Sequence, residues 1–189
     1  MRAFEYRGPI ETERLLLRAV EPGDFDVVYA MRSDPEVVRY LYWGVQTAEE
    51  ARAALEQRIS FRAIRADGDV LAVVAVLRDT DEVVADLILR CLSWEHAVGE
   101  IGFIVPSEHQ GRGYATEAAR AMLAVAFDGV GFHRVEGHLD ARNAASARVL
   151  EKLGMRPEAH LVENEWVKGE WQSELVYAML DREWRASRA

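Results

Sequence analysis

Residues 99–116, Gly99-Glu100-Ile101-Gly102-Phe103-Ile104-Val105-Pro106-Ser107-Glu108-His109-Gln110-Gly111-Arg112-Gly113-Tyr114-Ala115-Thr116, restrict the fold more than any other part of the chain. Gly99 to Val105 reads as a strand, and Pro106 ends it because it has no N–H to give to a ladder. Tyr114 to Phe127 reads as a long Ala-rich helix, closed by Gly129 and Gly131. Between them, Gly111-Arg112-Gly113 brings bare backbone to the helix start. Several amides then point one way, and the helix dipole adds roughly half a positive charge. That combination suits phosphate or pyrophosphate. A Cβ at Gly111 or Gly113 would hold an anion away from the amides. The turn is not a nucleotide P-loop, because no Gly-Lys-Ser/Thr follows, and Thr116 stands where a dinucleotide fingerprint has its third glycine.

The remaining elements fall around this unit. Leu15 to Leu17 reads as a first strand. Pro22-Gly23-Asp24 opens a helix through Met31, and Asp34-Pro35 opens a short one ending near Tyr40-Leu41. Thr47-Ala48-Glu49-Glu50 is a capping box for a helix running to about Ala66. Val70 to Leu77 and Val83 to Leu92 are strands joined by a short turn, hence antiparallel. Arg134 to Leu139 is a strand, Asn143 to Leu153 a helix closed by Gly154, and Leu161 to Trp166 with Trp171 to Leu180 a hairpin. This order describes one α+β domain over residues 1–189, with no internal repeat or linker.

Composition narrows the classes of function. The 189 residues are half hydrophobic and 29% charged, which is ordinary globular usage. A chain of this length buries about 70% of its extended surface around one core. The 23 Lys and Arg against 32 Asp and Glu leave a net charge of −9, which disfavours nucleic acid and anionic lipid as partners. Cys91, the one cysteine, excludes an internal disulfide, and it reads as a buried strand thiol. No apolar stretch is long enough to span a membrane, and the first nine residues lack a signal-like apolar core, so the cytoplasm is expected. The five histidines, His96, His109, His133, His138 and His160, show no metal spacing. Apart from His109, which lies in the turn segment, they read as structural or exposed.

Gln110-x-x-Gly113-x-Ala115 resembles the Gln/Arg-x-x-Gly-x-Gly/Ala motif of the GNAT superfamily of acetyl-CoA-dependent N-acetyltransferases. The longer string His109 to Ala118 resembles its Rim-type branch, named for N-terminal acetylation of ribosomal proteins. Asn143-x-x-Ser146-x-x-Val149-Leu150-Glu151-Lys152-Leu153-Gly154-Met155, Glu11-Thr12-Glu13-Arg14-Leu15-Leu16-Leu17-Arg18 near the start, and Lys168-Gly169-x-Trp171 near the end extend the likeness over about residues 10–185. The resemblance implies a GNAT fold: a mixed, mostly antiparallel sheet with helices on both faces. It is splayed between the fourth and fifth strands read here, Gly99–Val105 and Arg134–Leu139. Acetyl-CoA would lie in the gap as co-substrate, with no metal. Ile104 and Val105 would pair with its pantetheine arm, Asn143 would bond the arm from the other side, and Gln110, Gly111, Arg112, Gly113, Tyr114, Ala115 and Thr116 would hold its pyrophosphate.

The implied reaction is direct acetyl transfer to a primary amine, either a protein N-terminus or a small molecule. The amine must be neutral, which at pH 7 costs roughly 4.6 kcal/mol for a lysine amine and about 1 kcal/mol for an α-amine. Glu100, set among apolar strand residues, is the candidate base acting through water; otherwise it is an outward strand carboxylate. Many relatives place a tyrosine acid seven residues after the asparagine, but Leu150 stands there. Ser146 is the remaining hydroxyl for the leaving thiolate, or simply a small residue facing the cofactor. Tyr40, Tyr42 and Trp43 fall where relatives form the acceptor wall, and the hairpin acids Glu163, Glu165 and Glu170 lie opposite. Trp171-Gln172-Ser173 replaces the Trp-x-Asp of many relatives. A CoA-binding sensor without catalysis, transfer of another acyl group, and a homodimer remain open alternatives.

Overall fold

Three long apolar runs, Val70–Leu77, Val83–Ser93 and Val98–Ile104, pair antiparallel and form the centre of an eight-stranded sheet, in a computed structural model that describes residues 1–188. In chain order the elements are β1 (Phe4–Glu5), β2 (Ile10–Glu11), β3 (Leu15–Ala19), α1 (Phe25–Ser33), α2 (Pro35–Val38), α3 (Ala48–Ser60), β4 (Ala63–Ile64), β5 (Val70–Leu77), β6 (Val83–Ser93) and β7 (Val98–Ile104). They continue as α4 (Tyr114–Ala124), β8 (Arg134–Asp140), α5 (Ala144–Leu153), β9 (Arg156–Val167), β10 (Glu170–Leu180) and α6 (Asp181–Ala186). The sheet order is β2-β3-β5-β6-β7-β8-β10-β9, and β1 with β4 makes a small separate ribbon.

The β5 run is continuously apolar because both its faces are covered. Leu71, Val73 and Ala75 enter a core built with Ala118, Met122 and Leu123 of α4 and Leu150 and Leu153 of α5. Ala72, Val74 and Val76 enter a second core with Val28 and Met31 of α1 and Leu55 of α3. The expected α+β architecture, a mixed sheet with helices on both faces, is thus observed. All its strand pairs are antiparallel except β7 with β8.

The local signals set the helix starts. Thr47 Oγ1 accepts from the Glu50 amide at 3.3 Å, and a Glu50 carboxylate oxygen accepts from the Thr47 amide at 2.8 Å, so the capping box forms. Two expectations need correction. The helix after Thr47 stops at Ser60 rather than near Ala66, because Ala63 and Ile64 pair with Glu5 and Phe4. Gly129 does not close the long helix. It lies inside a wide π-type turn, Val125–Val130, beside the Phe4 ring, and Gly131 at φ +82° is the terminator.

The sheet splays at the expected place. β7 and β8 pair only at Val98, Gly99 and Glu100 against Arg134, Val135 and Glu136, and then part. Each strand keeps its outer neighbour beyond that point: β7 pairs with β6 as far as Ile104, and β8 pairs with β10 as far as Asp140. Gly137 lets α5 seat against β8, since a Cβ there would lie 2.8 Å from Leu150 Cδ1.

Across the other core, α3 is fastened to the sheet by Arg58, which donates to the carboxylate of fully buried Asp86 on β6. Burial pushes the Asp86 carboxyl above its usual range, and the Arg58 and Arg32 charges work against that rise. Arg58→Ala is expected to destabilise the fold by about 3–5 kcal/mol at pH 7.5, because it leaves a buried charge without its partner. A carboxyl raised on folding binds its proton more tightly folded than unfolded. The penalty should therefore shrink as the pH falls through the raised Asp86 value. Urea unfolding at pH 7.5 and 5 checks this, and an equal loss at both would contradict it.

Candidate functional site

Where β7 leaves β8, the backbone of β7 faces an open groove. Which residues face it follows from strand alternation. The Cys91 amide donates to Asp69 O and Cys91 O accepts from the Gly68 amide, so the Cys91 backbone points toward β5. Even-numbered β6 residues therefore point toward β7, and Asp86, Ile88 and Arg90 meet Ile104, Gly102 and Glu100. Ile104 thus has its N–H and C=O engaged with Asp86. Beyond the last β8 rung it is Ile101, Phe103 and Val105 that turn theirs to the groove. Of the two residues expected to pair with an arm, Val105 turns its backbone to the groove and Ile104 does not; Phe103 does. The Gln110 amide donates to Val105 O at 3.1 Å and so ties the strand end to the turn.

The groove, of about 490 Å³, runs from Phe103 past Gln110, Gly113 and Thr116 to Asn143 and Ser146. Gly111 (φ +76°) and Gly113 (φ +83°) both have left-handed backbone, and Gly113 is the N-cap of α4. A Cβ at Gly111 would meet nothing, so its space is open for a ligand. Arg112, Tyr114 and Ala115 complete the turn, with Tyr114 and Ala115 lining the groove. A larger hollow of about 710 Å³ lies against the other flank of α4, between Ile10–Glu13 and Trp184, and touches no residue of β7.

Arg14 braces the turn from behind. Its Nε pairs with Glu117 at 2.7 Å, one guanidinium nitrogen donates to Arg112 O at 3.0 Å, and the guanidinium lies 4.8 Å from the Tyr114 ring centre. Glu117 also accepts from Thr12 Oγ1 at 2.6 Å and from the Arg14 amide at 2.8 Å. Burial would raise the Glu117 carboxyl, but these hydrogen bonds hold it below its usual range. The motif Glu11 to Arg18 thus has a physical role, which is to fix the register of the glycine turn. His109 is buried beside it, with Nε2 3.2 Å from Glu82 and its ring edge on Tyr114.

Across the gap, Asn143 caps α5, its Oδ1 accepting from the Ser146 amide at 3.0 Å. Its amide nitrogen is the group left to donate. Ser146 is half-buried in the groove wall. Leu150, in the position where many relatives hold a tyrosine, turns into the core and is 2% exposed. Cys91 is buried, and burial first, then Asp67 and Asp69, push its thiol up to about 11, which makes it a poor acyl carrier.

Glu100 lies at the last rung before the strands part. Its strand neighbours are charged rather than apolar: Arg90 approaches to 3.6 Å, and Glu136 sits opposite in register. Two residues further along β8, His138 lies between two carboxylates, with Nε2 2.9 Å from Glu136 and Nδ1 3.0 Å from Glu174 of β10. Burial alone would lower the imidazole pKa. The Glu136 and Glu174 hydrogen bonds, with the Glu174 and Glu100 charges, raise it above the ordinary value. The Tyr42 hydroxyl donates to the same Glu174 oxygen at 3.1 Å. Burial and then the charges of Glu174 and Glu165 push that phenol well above its usual range.

Tyr40 lines both the groove and a small adjoining cavity bounded by Tyr42, Asp140, Glu165 and Glu174. The hairpin turn closes on it, since Lys168 Nζ donates to Val38 O at 2.8 Å and Arg39 O at 3.0 Å. Trp43 instead packs under Arg32, 5.0 Å from its guanidinium, and lines neither space. Of the hairpin acids, Glu165 faces the cavity, Glu170 pairs with Arg142 at 2.9 Å, and Glu163 is exposed. In the sequence His138 reads only as structural or exposed, and Glu136 and Glu174 carry no reading. The signal present was the period-two run Glu136-x-His138-x-Asp140 on one face of a strand.

The acetyltransferase (GNAT) domain family matches residues 14–156. The chain belongs to this family. An uncharacterized N-acetyltransferase of Bacillus subtilis, YnaD, is 34% identical over 93% of this chain and 98% of its own. The crystal structure of a GNAT-family acetyltransferase from Bacillus anthracis superposes with a TM-score of 0.83 at 30% identity, covering 93% of this chain and 99% of that one. The spermidine N-acetyltransferase of Vibrio cholerae, solved with CoA and spermine, shares the fold with a TM-score of 0.78 at 21% identity, over 92% and 99%.

The paired left-handed glycines and the free β7 backbone form a cradle of the right chemistry for the diphosphate and amide arm of CoA. Gly113→Val forces a branched side chain into left-handed backbone, a strain of about 1–2 kcal/mol, and sets its Cβ 3.4 Å from the Arg14 guanidinium that braces the turn. Acetyl-CoA affinity by calorimetry should drop at least about tenfold, the equivalent of ~1.4 kcal/mol, with circular dichroism unchanged. Undiminished affinity would contradict this placement.

Proposed function

We propose that the chain transfers acetyl from acetyl-CoA directly to a primary amine, with the opening between β7 and β8 as donor site and the Tyr40 end of the groove, beside the water-sized Tyr40–Tyr42 cavity, as acceptor site. The observation that carries the reading is the parted strand pair, whose free backbone leads to the two-glycine start of α4. Amides of Gly111 to Thr116, with Arg112, would hold the diphosphate. Phe103 and Val105 would pair with the arm, and Asn143 would donate from the opposite side. Acetyl-CoA supplies the activated thioester. The remaining tasks fall to the protein's own groups.

Glu100 takes the proton of the acceptor ammonium, directly or through one water, so that a neutral nitrogen faces the carbonyl carbon. A free β7 amide donates to the oxygen that becomes anionic. As the C–N bond forms the C–S bond breaks, the nitrogen gives up its second proton to the departing thiolate, and the Ser146 hydroxyl donates a hydrogen bond to that sulfur. Glu165 and Glu174 favour an acceptor that arrives positively charged. The likeness of His109–Ala118 to the Rim-type branch, and the lower deprotonation cost of an α-amine, support a protein N-terminus as acceptor. The fold neighbour solved with spermine supports a small polyamine as the other candidate. Among the described residues no helix is long and apolar enough to cross a membrane, which is consistent with the cytoplasmic location we assign. The bare edge strand β9, with Val162 and Trp166 exposed, is the surface on which a homodimer would form.

An acceptor panel of amines and free-amino peptides, read by thiol release, tests the activity. With a turned-over acceptor, Glu100→Gln should lower kcat by about 10²–10⁴-fold while acetyl-CoA affinity stays within about twofold. An unchanged kcat removes Glu100 from the base role. Ser146→Ala should lower kcat without changing the acceptor KM, and a wild-type rate would assign the thiolate's proton to solvent.

A further inference from the structure

The imidazole of His138 is bracketed on both nitrogens by carboxylates, Glu136 at 2.9 Å and Glu174 at 3.0 Å. A neutral imidazole has one N–H and one lone pair, so one of these contacts would set a lone pair against an anion. Only the imidazolium satisfies both. The geometry also divides three neighbouring carboxylates into two kinds. Glu136 has its oxygens taken by His138 and by Arg134 at 2.6 Å, and Glu174 has its own taken by His138, Tyr42 and, at 3.4 Å, Asn164. Glu100 has only the Arg90 charge, at 3.6 Å. The bracketed ring lies on the first same-face residue after the last β7–β8 rung, at the mouth of the opening.

We propose that His138, as an imidazolium clasp between Glu136 and Glu174, is the positioning residue of the acceptor site. It fixes Glu174 and, through it, the Tyr42 wall, and it leaves Glu100 as the carboxylate open to the acceptor's proton. This rests on the transferase reading. The charged and titratable groups around the ring are Glu100 on β7, Arg134 and Glu136 on β8 and Glu174 on β10, with Tyr42 from the α2–α3 loop on the far side of Glu174 and Glu165 of β9 acting on Tyr42. The net acidity of that set favours the charged ring. Above the ring's elevated titration point, one contact becomes repulsive and the clasp opens.

Histidine-selective ¹⁵N NMR of the whole protein between pH 5.5 and 9.5 reads the clasp directly. Both His138 nitrogens should be protonated at pH 7.5, and Glu174→Gln should move the titration down by about one unit or more. A neutral ring at pH 7.5 overturns the proposal. Kinetics with a free-amino peptide amide and a linear diamine read the role. His138→Ala should raise the acceptor KM at least tenfold and leave the acetyl-CoA KM within twofold. The wild type should show a rise of acceptor KM on the alkaline side of the His138 titration, and His138→Ala should abolish it. His138→Lys, which keeps the charge but reaches one carboxylate, should recover part of the loss. An unchanged acceptor KM, or equal losses on both substrates, overturns the positioning role. If His138→Ala does not fold, Tyr42→Phe and Glu174→Gln carry the kinetic test, with the same split between the two KM values expected. A wild-type protein that binds acetyl-CoA yet releases no thiol with either amine overturns the transferase reading and the role built on it, while the nitrogen spectrum still decides whether the clasp exists.

Discussion

The departure of β8 from β7 after Glu100 is the constraint from which the site follows. A strand that loses its neighbour keeps its N–H and C=O groups, and each such group left unpaired in a buried place costs about 1–3 kcal/mol. The opening survives because both strands are held on their far sides, β7 by β6 and β8 by β10. It is also partly satisfied from within, since Gln110 takes the Val105 carbonyl. What remains is a row of backbone groups spaced for an extended, amide-bearing chain. The row ends at amides gathered by two left-handed glycines, so one defect in the sheet would supply both halves of the CoA site proposed above.

Much of this was legible in the sequence because it is written locally. The glycine turn, the Thr47 capping box, the Asn143 cap and the Gly154 stop each depend on a few adjacent residues. Long-range pairing was not legible in the same way. That Ile104 faces β6 and Phe103 faces the groove depends on the register of three strands, which the run Phe103-Ile104-Val105 does not disclose. Ala63 and Ile64 left a helical pattern because distant Phe4 and Glu5 offered them a ladder. His138 reads as an ordinary strand histidine until β10 brings Glu174 to it across 36 positions.

Charge is distributed to match. On one side of the splay, Arg58 pairs with buried Asp86, with the Arg32 charge also acting on it, and fastens α3 over the sheet. On the other side, the polar face of β8 and β10 carries Glu136, Glu174 and Asp140 near the sheet opening, where a positively charged amine is welcome and a phosphate is not. Arg112 and the α4 dipole lie at the opposite end of the groove. In the proposed reaction a dianionic diphosphate and a cationic acceptor would be steered to different ends of one cleft, as direct transfer between two substrates bound together requires.

Backbone-amide NMR during titration with CoA tests the central claim most directly. The account predicts the largest shifts at residues 111–116 and along residues 101–105. It also predicts that pantetheine, which lacks the diphosphate, moves only the strand. Shifts gathered in the hollow beside Trp184, or a glycine turn that stays silent while CoA binds, would contradict it.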